Sequence, residues 1–190
     1  MIKLRFQVLL LFYCGLVFTT YGQTESDLGK NNLTYDYSFY QGERAAGGEI
    51  LSQGFVLGFS RYLTKKVYGD ITLGFMNFEG RNSQFFLDPE EMSFLNMRIL
   101  TIGGGYDIFQ SREFILSGEL AYLRQSNEML LVNEPNYRET GISIDSSARL
   151  RLKSRFFITE NLQGLISYSH GFGLSRYKSD WLSLGIGYSF

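Results

Sequence analysis

One cysteine, one histidine, one tryptophan and two prolines in 190 residues are what this chain has least of. The cysteine, Cys14, lies inside an N-terminal apolar run that includes Leu9, Leu10, Leu11, Phe12, Leu16, Val17 and Phe18, behind the basic residues Lys3 and Arg5. The run is too short for a comfortable spanning helix, and Thr20 and Gly22 place small residues where a signal peptidase reads. The expectation is a cleaved secretory signal over 1–22 and a mature domain over 23–190. Tyr13 stands where lipidation of Cys14 would want a small residue, so Cys14 is read as inert. No cysteine then remains for a disulfide or a thiolate site. With a single histidine besides, no metal cluster is expected, only scattered carboxylates. No cofactor is implied.

Other scarcities narrow the class further. After the signal no apolar run is long enough for a spanning helix. Without Lys3 and Arg5 the 18 basic residues fall to 16 against 19 acidic ones, a formal charge of about −3, with nothing to attract nucleic acid. Pro89 and Pro135 are the only prolines, while glycine (21), phenylalanine (17) and tyrosine (13) are plentiful; that mix suits many strands and few helices. The mature length fits one domain.

What is present is alternation. In Trp181–Phe190, Leu182, Leu184, Ile186, Tyr188 and Phe190 share one parity, and Trp181, Ser183, Gly185, Gly187 and Ser189 the other. Side chains alternate across a strand, so one face is apolar and the other small and mostly polar. An open apolar strand of this kind invites aggregation in water. A closed barrel in a bilayer removes the edge and sets the apolar face in lipid. Similar strands are predicted over 31–40, 54–62, 67–78, 94–108, 113–124, 138–155 and 162–172. Tight turns at 63–66, 109–112 and 156–161 alternate with longer polar loops at 41–53, 79–93, 125–137 and 173–180. Such alternation fits spanning hairpins with short periplasmic turns and longer outer loops. The fold expected is all-β: an eight-stranded antiparallel up-and-down transmembrane barrel.

The opposite parity should fill the interior. It carries Asp36, Asp70, Asp107, Glu119 and Asp145 against Arg149, Arg151 and Lys153. Buried charges need partners, which predicts an internal salt-bridge network; a solute path along the same charges is the other reading. Distances counted from the turns at Arg112 and Arg155 predict that Glu119 pairs with Arg149.

Two stretches carry a resemblance. Arg155-Phe-Phe-Ile-Thr-Glu-Asn-Leu162 is similar to a recurrent turn, an aromatic followed by Thr-x-Asn, of the small outer-membrane barrels, the OmpA/OmpX-like group; Arg61-Tyr-Leu-Thr-Lys-Lys-Val67 is a weaker copy. The Tyr188-Ser-Phe190 end resembles that group's final strand. The resemblance implies residence in the outer membrane of a Gram-negative bacterium, with outer-membrane lipids as surroundings. It also implies an assembly signal, Leu184, Ile186, Tyr188 and Phe190, read by the barrel-assembly machinery. The expectation is a barrel without the peptidoglycan-binding domain that full-length OmpA carries. These motifs specify architecture and not activity.

His170 is the one candidate for catalysis. Some barrels of this size are enzymes that act on lipid A or phospholipid, and the deacylase family that resembles this barrel uses a His-x-Ser pair with a carboxylate. Here the position two residues on is Phe172, and Ser167 and Ser169 fall on the other face, so the motif fails. A histidine at headgroup level among rim aromatics is the simpler reading. Asp88, Glu90 and Glu91 around Pro89 could hold calcium, but read as a solvated acidic loop. Three functions follow: a non-enzymatic barrel serving the envelope or binding an extracellular partner through its loops, a lipid-modifying enzyme centred on His170, or a narrow pore or small-ligand carrier.

Overall fold

The computed structural model describes residues 31–43, 49–78, 93–134, 137–172 and 178–190. The proposed signal, Cys14 and the acidic stretch around Pro89 lie outside them. Eight strands form one closed antiparallel barrel in chain order: β1 (Asn31–Glu43), β2 (Glu49–Tyr62), β3 (Val67–Phe78), β4 (Ser93–Gln110), β5 (Phe114–Glu134), β6 (Tyr137–Phe157), β7 (Leu162–Phe172) and β8 (Lys178–Ser189). The ring closes between β1 and β8, and Asn31 and Phe190 exchange both backbone hydrogen bonds at 2.9 Å. Closure leaves no sheet edge around the barrel wall.

The register fixes the tilt. Followed from Asn32 through Ser60, Asp70, Gly103, Ala121, Arg149, Gly171 and Ser179, it returns to β1 at Gly42, ten residues along. A stagger of this size in eight strands accompanies a tilt of roughly 35–45° and an interior just filled by side chains.

Parity sorts the wall as the alternation predicts. Outward side chains include Leu33, Leu57, Ile71, Leu73, Ile102, Leu120, Leu150, Leu184 and Ile186, all exposed. Aromatics flank this band at both ends. Tyr106, Phe156, Tyr188 and Phe190 lie toward the short turns, and Phe39, Phe55, Phe75, Tyr122 and Phe172 toward the loops. Beyond the loop-side aromatics the outward parity becomes polar, at Gln41, Gln53, Asn77, Arg98, Arg124, Ser146 and Asp180. Leu51 is an exposed apolar residue beyond that level.

The two motif-bearing turns share one geometry. Leu63 N and Thr64 N donate to Val67 O at 2.8 and 3.1 Å, and Ile158 N and Thr159 N donate to Leu162 O at the same distances. In each the threonine hydroxyl accepts the amide of the residue that restarts the strand, Val67 or Leu162, at 3.0 Å. That is the physical content of the motif: a hydroxyl satisfies an amide that the turn would otherwise strand.

Several expected boundaries are corrected. The segment 125–137, expected as a loop, is mostly strand, because β5 runs to Glu134 and β6 begins at Tyr137. Within the expected loop 41–53, β1 extends to Glu43 and β2 starts at Glu49. β8 already begins at Lys178, inside the expected loop 173–180. Polar composition misled the reading at all three places, since backbone pairing beyond a lipid belt needs no apolar face.

Candidate functional site

The barrel interior is layered. Toward the short turns, Asp107 accepts hydrogen bonds from Tyr62 Oη (2.6 Å), Ser117 Oγ (2.7 Å), Gln110 Nε2 (2.7 Å) and Arg155 Nη2 (2.6 Å). In the middle, Glu119 is a hub. It accepts from Tyr68 Oη at 2.7 Å and pairs with both Arg151 and Lys153. Arg151 Nη2 also reaches Asp70 Oδ1 at 2.8 Å, across the barrel on β3. Tyrosine rings join the clusters: the Arg155 guanidinium lies 5.6 Å from the Tyr62 centroid and 5.5 Å from that of Tyr68, and Lys153 Nζ lies 5.0 Å from Tyr68.

One strand supplies the cations. Arg149, Arg151, Lys153 and Arg155 are successive inward positions of β6 and all are buried. The facing carboxylates come from four other strands, Asp36 on β1, Asp70 on β3, Asp107 on β4 and Glu119 on β5. Four formal charges of each sign sum to zero net charge among these described interior side chains.

Four details depart from expectation. Glu119 does not pair with Arg149. It stands opposite Arg151, while Arg149 stands opposite Ala121 and donates to Thr101 Oγ1 at 3.2 Å. Asp145 is not in the network; it is half-buried near the loops, where Asn127 Nδ2 approaches it at 3.4 Å. Asp36 Oδ1 is buried with no hydrogen-bond partner, as is Arg149 Nε. Arg155 belongs to the network and was read only as part of a turn motif, although it shares the parity of Lys153.

Toward the loops the filling turns apolar. Tyr40, Met76, Met97, Ile99, Leu123 and Trp181 pack into one buried cluster, with the Tyr40 and Trp181 rings 5.1 Å apart. This layer roofs the charged one.

His170 sits outside the wall at its loop-side border. Its Nδ1 lies 2.8 Å from Asp180 Oδ1, and the same oxygen accepts from Tyr168 Oη at 2.6 Å. Register alone could have located this carboxylate, because Asp180 is the β8 residue opposite His170. Ser167 and Ser169 are buried on the interior side. The pair thus has an orienting carboxylate, and among the described residues no serine hydrogen-bonds to His170 as a nucleophile would. Among the described residues no group of three or more histidine, cysteine, aspartate or glutamate side chains could hold a metal ion.

At the loop end β5 and β6 outrun their neighbours. Among the described residues, β7 pairs with β6 only between Phe157 and Ala148, whereas β6 begins at Tyr137. Its stretch 137–147 therefore has β5 on one side and no described strand on the other. Ile142 and Ile144 on that stretch are 69% and 55% exposed.

No protein-family model matches the chain, and neither does any curated protein. Solved structures do. Ail, the attachment invasion locus protein of Yersinia pestis, superposes with a TM-score of 0.59 at 15% identity, over 86% of this chain and 99% of Ail. The fold is that of a small outer-membrane β-barrel. Ail in complex with the heparin analogue sucrose octasulfate gives 0.60 at 16% identity, over 86% and 99%. Neisserial surface protein A gives 0.58 at 12% identity, over 90% of this chain and all of that one.

Proposed function

We propose that the protein is an outer-membrane surface barrel of a Gram-negative bacterium, whose sealed wall anchors the β5–β6 hairpin as an extracellular binding edge. The apolar outward band between two aromatic levels supports the membrane reading, since such a band about 25 Å tall is what a lipid-embedded barrel presents. The signal over 1–22, and outward Leu184, Ile186, Tyr188 and Phe190 as the segment met by the assembly machinery, belong to the same proposal. The apolar roof and the balanced charges beneath it speak against a solute path. Among the described residues no serine hydrogen-bonds to His170, which speaks against a lipid-deacylating role.

The observation that carries the binding role is the side of β6 over 140–147, with which no described strand pairs. An exposed strand edge offers main-chain donors and acceptors to an extended segment of another protein, and alternate side chains then set specificity. Ile142 and Ile144 supply that apolar alternate set. The complex of Ail with sucrose octasulfate is a precedent for a barrel of this fold holding a ligand.

The test uses the full mature barrel in lipid nanodiscs, panned against a display library of random ten-residue peptides. Wild type should enrich extended sequences with alternating apolar residues. The double variant Ile142→Lys, Ile144→Lys should lose that enrichment, because lysine on an edge opposes strand addition. It should still fold, as both residues lie beyond the polar level at Ser146. Equal enrichment by both forms would reject the edge as the binding surface.

A further inference from the structure

We infer that Arg98 and Arg124 clamp the phosphate monoester of an outer-leaflet lipid against the barrel wall. The inference rests on the membrane reading above and concerns a surface that reading does not use.

Both arginines are exposed on the outward parity of adjacent strands, β4 and β5. Arg98 stands opposite Ser126 and Arg124 opposite Leu100, so the two are diagonal neighbours on one face. Such neighbours lie about 7–8 Å apart at the backbone, well within reach of two long side chains converging on one anion. Each occupies the first outward position beyond the apolar band, Arg98 after Leu100 and Arg124 after Tyr122. That is the level where headgroups meet a barrel.

Among the described residues neither guanidinium forms an ion pair with a carboxylate. Across the strands Arg98 faces Phe75 and Ser126, and Arg124 faces Leu100 and Ser146. The nearby outward carboxylate, Glu128, takes a hydrogen bond from Asn96 Nδ2 at 3.1 Å, and neither arginine forms an ion pair with it. Among the described side chains these are the only outward cations at the loop-side border; Arg61, Lys65, Lys66 and Arg112 are all at the opposite end. Two like charges side by side without a counter-ion repel one another, and an anion between them removes that cost.

The chemistry of the occupant follows from the charge and the surroundings. Guanidinium forks bind phosphate oxygens through paired charge-assisted hydrogen bonds. Two of them match the dianion of a monoester better than the single charge of a diester. The Tyr122 and Ser146 hydroxyls, 2.7 Å apart on the same face, add neutral donors beside Arg124. Immediately below, Leu100, Ile102 and Leu120 continue the apolar band, so acyl chains attached to the phosphate have a surface to lie on.

The experiment is native mass spectrometry of the full barrel in nanodiscs of phosphatidylcholine. These are doped either with phosphatidic acid, a phosphomonoester, or with phosphatidylglycerol, a diester, at equal bilayer charge. Gel mobility of the unheated sample first reports whether the barrel has inserted, so failure of the membrane reading shows there and not in the lipid count. Wild type should retain phosphatidic acid over phosphatidylglycerol. Arg98→Gln with Arg124→Gln should weaken that retention about tenfold, the scale of losing charge-assisted bonds, while Arg61→Gln at the other end should not. Soluble glycerol phosphate should fail to displace the lipid, which separates a lipid site from a free-phosphate site. An inserted barrel that shows no preference for the monoester, or a preference that survives the double variant, overturns the inference.

Discussion

Arg151→Met is expected to lower the unfolding free energy of the barrel in lipid vesicles, read by urea titration, by about 3–5 kcal/mol, the usual cost of stripping one partner from a buried ion pair. Arg151 holds two carboxylates at once, Glu119 and Asp70. Its loss leaves Asp70 buried with no ion-pair partner among the described residues. Glu119 keeps Lys153 and Tyr68, so the damage centres on β3. Arg149→Met is the informative contrast. Arg149 is equally buried but among the described residues donates only to a threonine hydroxyl, so removing its charge should cost far less. Adding Glu119→Gln to Arg151→Met should cost less than the two single losses together, as expected for groups that touch. Equal losses for Arg149 and Arg151, or strict additivity with Glu119, would mean that the network is not wired as described.

Gly105→Leu should also impair folding, for a steric reason. Tyr68 lies opposite Gly105 across β3 and β4, and its ring covers the glycine. A Cβ built at Gly105 would lie 2.5 Å from the Tyr68 hydroxyl oxygen and 2.7 Å from Cε2. The ring cannot retreat freely, because its hydroxyl donates to Glu119 and its face lies by Lys153 and Arg155. Overpacking of this kind costs about 1–3 kcal/mol, and more when a buried polar partner is lost with it. Gly118→Leu, on the outer wall with only Ile108 Cδ1 at 3.5 Å, is the control and should fold normally. The readout is the fraction of unheated protein in the fast-migrating folded band. An undiminished band for Gly105→Leu would show that Tyr68 does not depend on that space.

Much of this architecture is legible in the chain. Alternation of the kind seen in Leu182–Phe190 marks a strand with lipid on one side, and it identified eight strands, their inward sets and the short turns. It works because lipid and interior demand opposite chemistries at every second residue. The alternation fades above the membrane. Gln125, Ser126, Asn127 and Glu128 carry no apolar pattern, yet β5 continues through them because β6 supplies its hydrogen bonds. Charge pairing was harder to read. Heights for Glu119 and Arg149 were counted from two different turns, and the tilt sets those turns at different levels. The register, Glu119 opposite Arg151, removes that error. The interior apolar roof was visible only as isolated residues such as Met76 and Trp181. No local pattern reveals that strands distant in sequence bring them to one level.

The central claim is a barrel that crosses the outer membrane with β5–β6 outside and the short turns beneath. Single-cysteine labelling tests it most directly, because Cys14 is the only native cysteine and lies in the proposed cleaved signal. Ile144→Cys, Leu184→Cys and Thr64→Cys would each be exposed to a membrane-impermeant maleimide on intact cells, then again after the outer membrane is opened. Ile144→Cys should label on intact cells, Thr64→Cys only after opening, and Leu184→Cys, facing lipid, in neither case. Labelling of Thr64→Cys on intact cells, or of Leu184→Cys as readily as Ile144→Cys, would contradict the account.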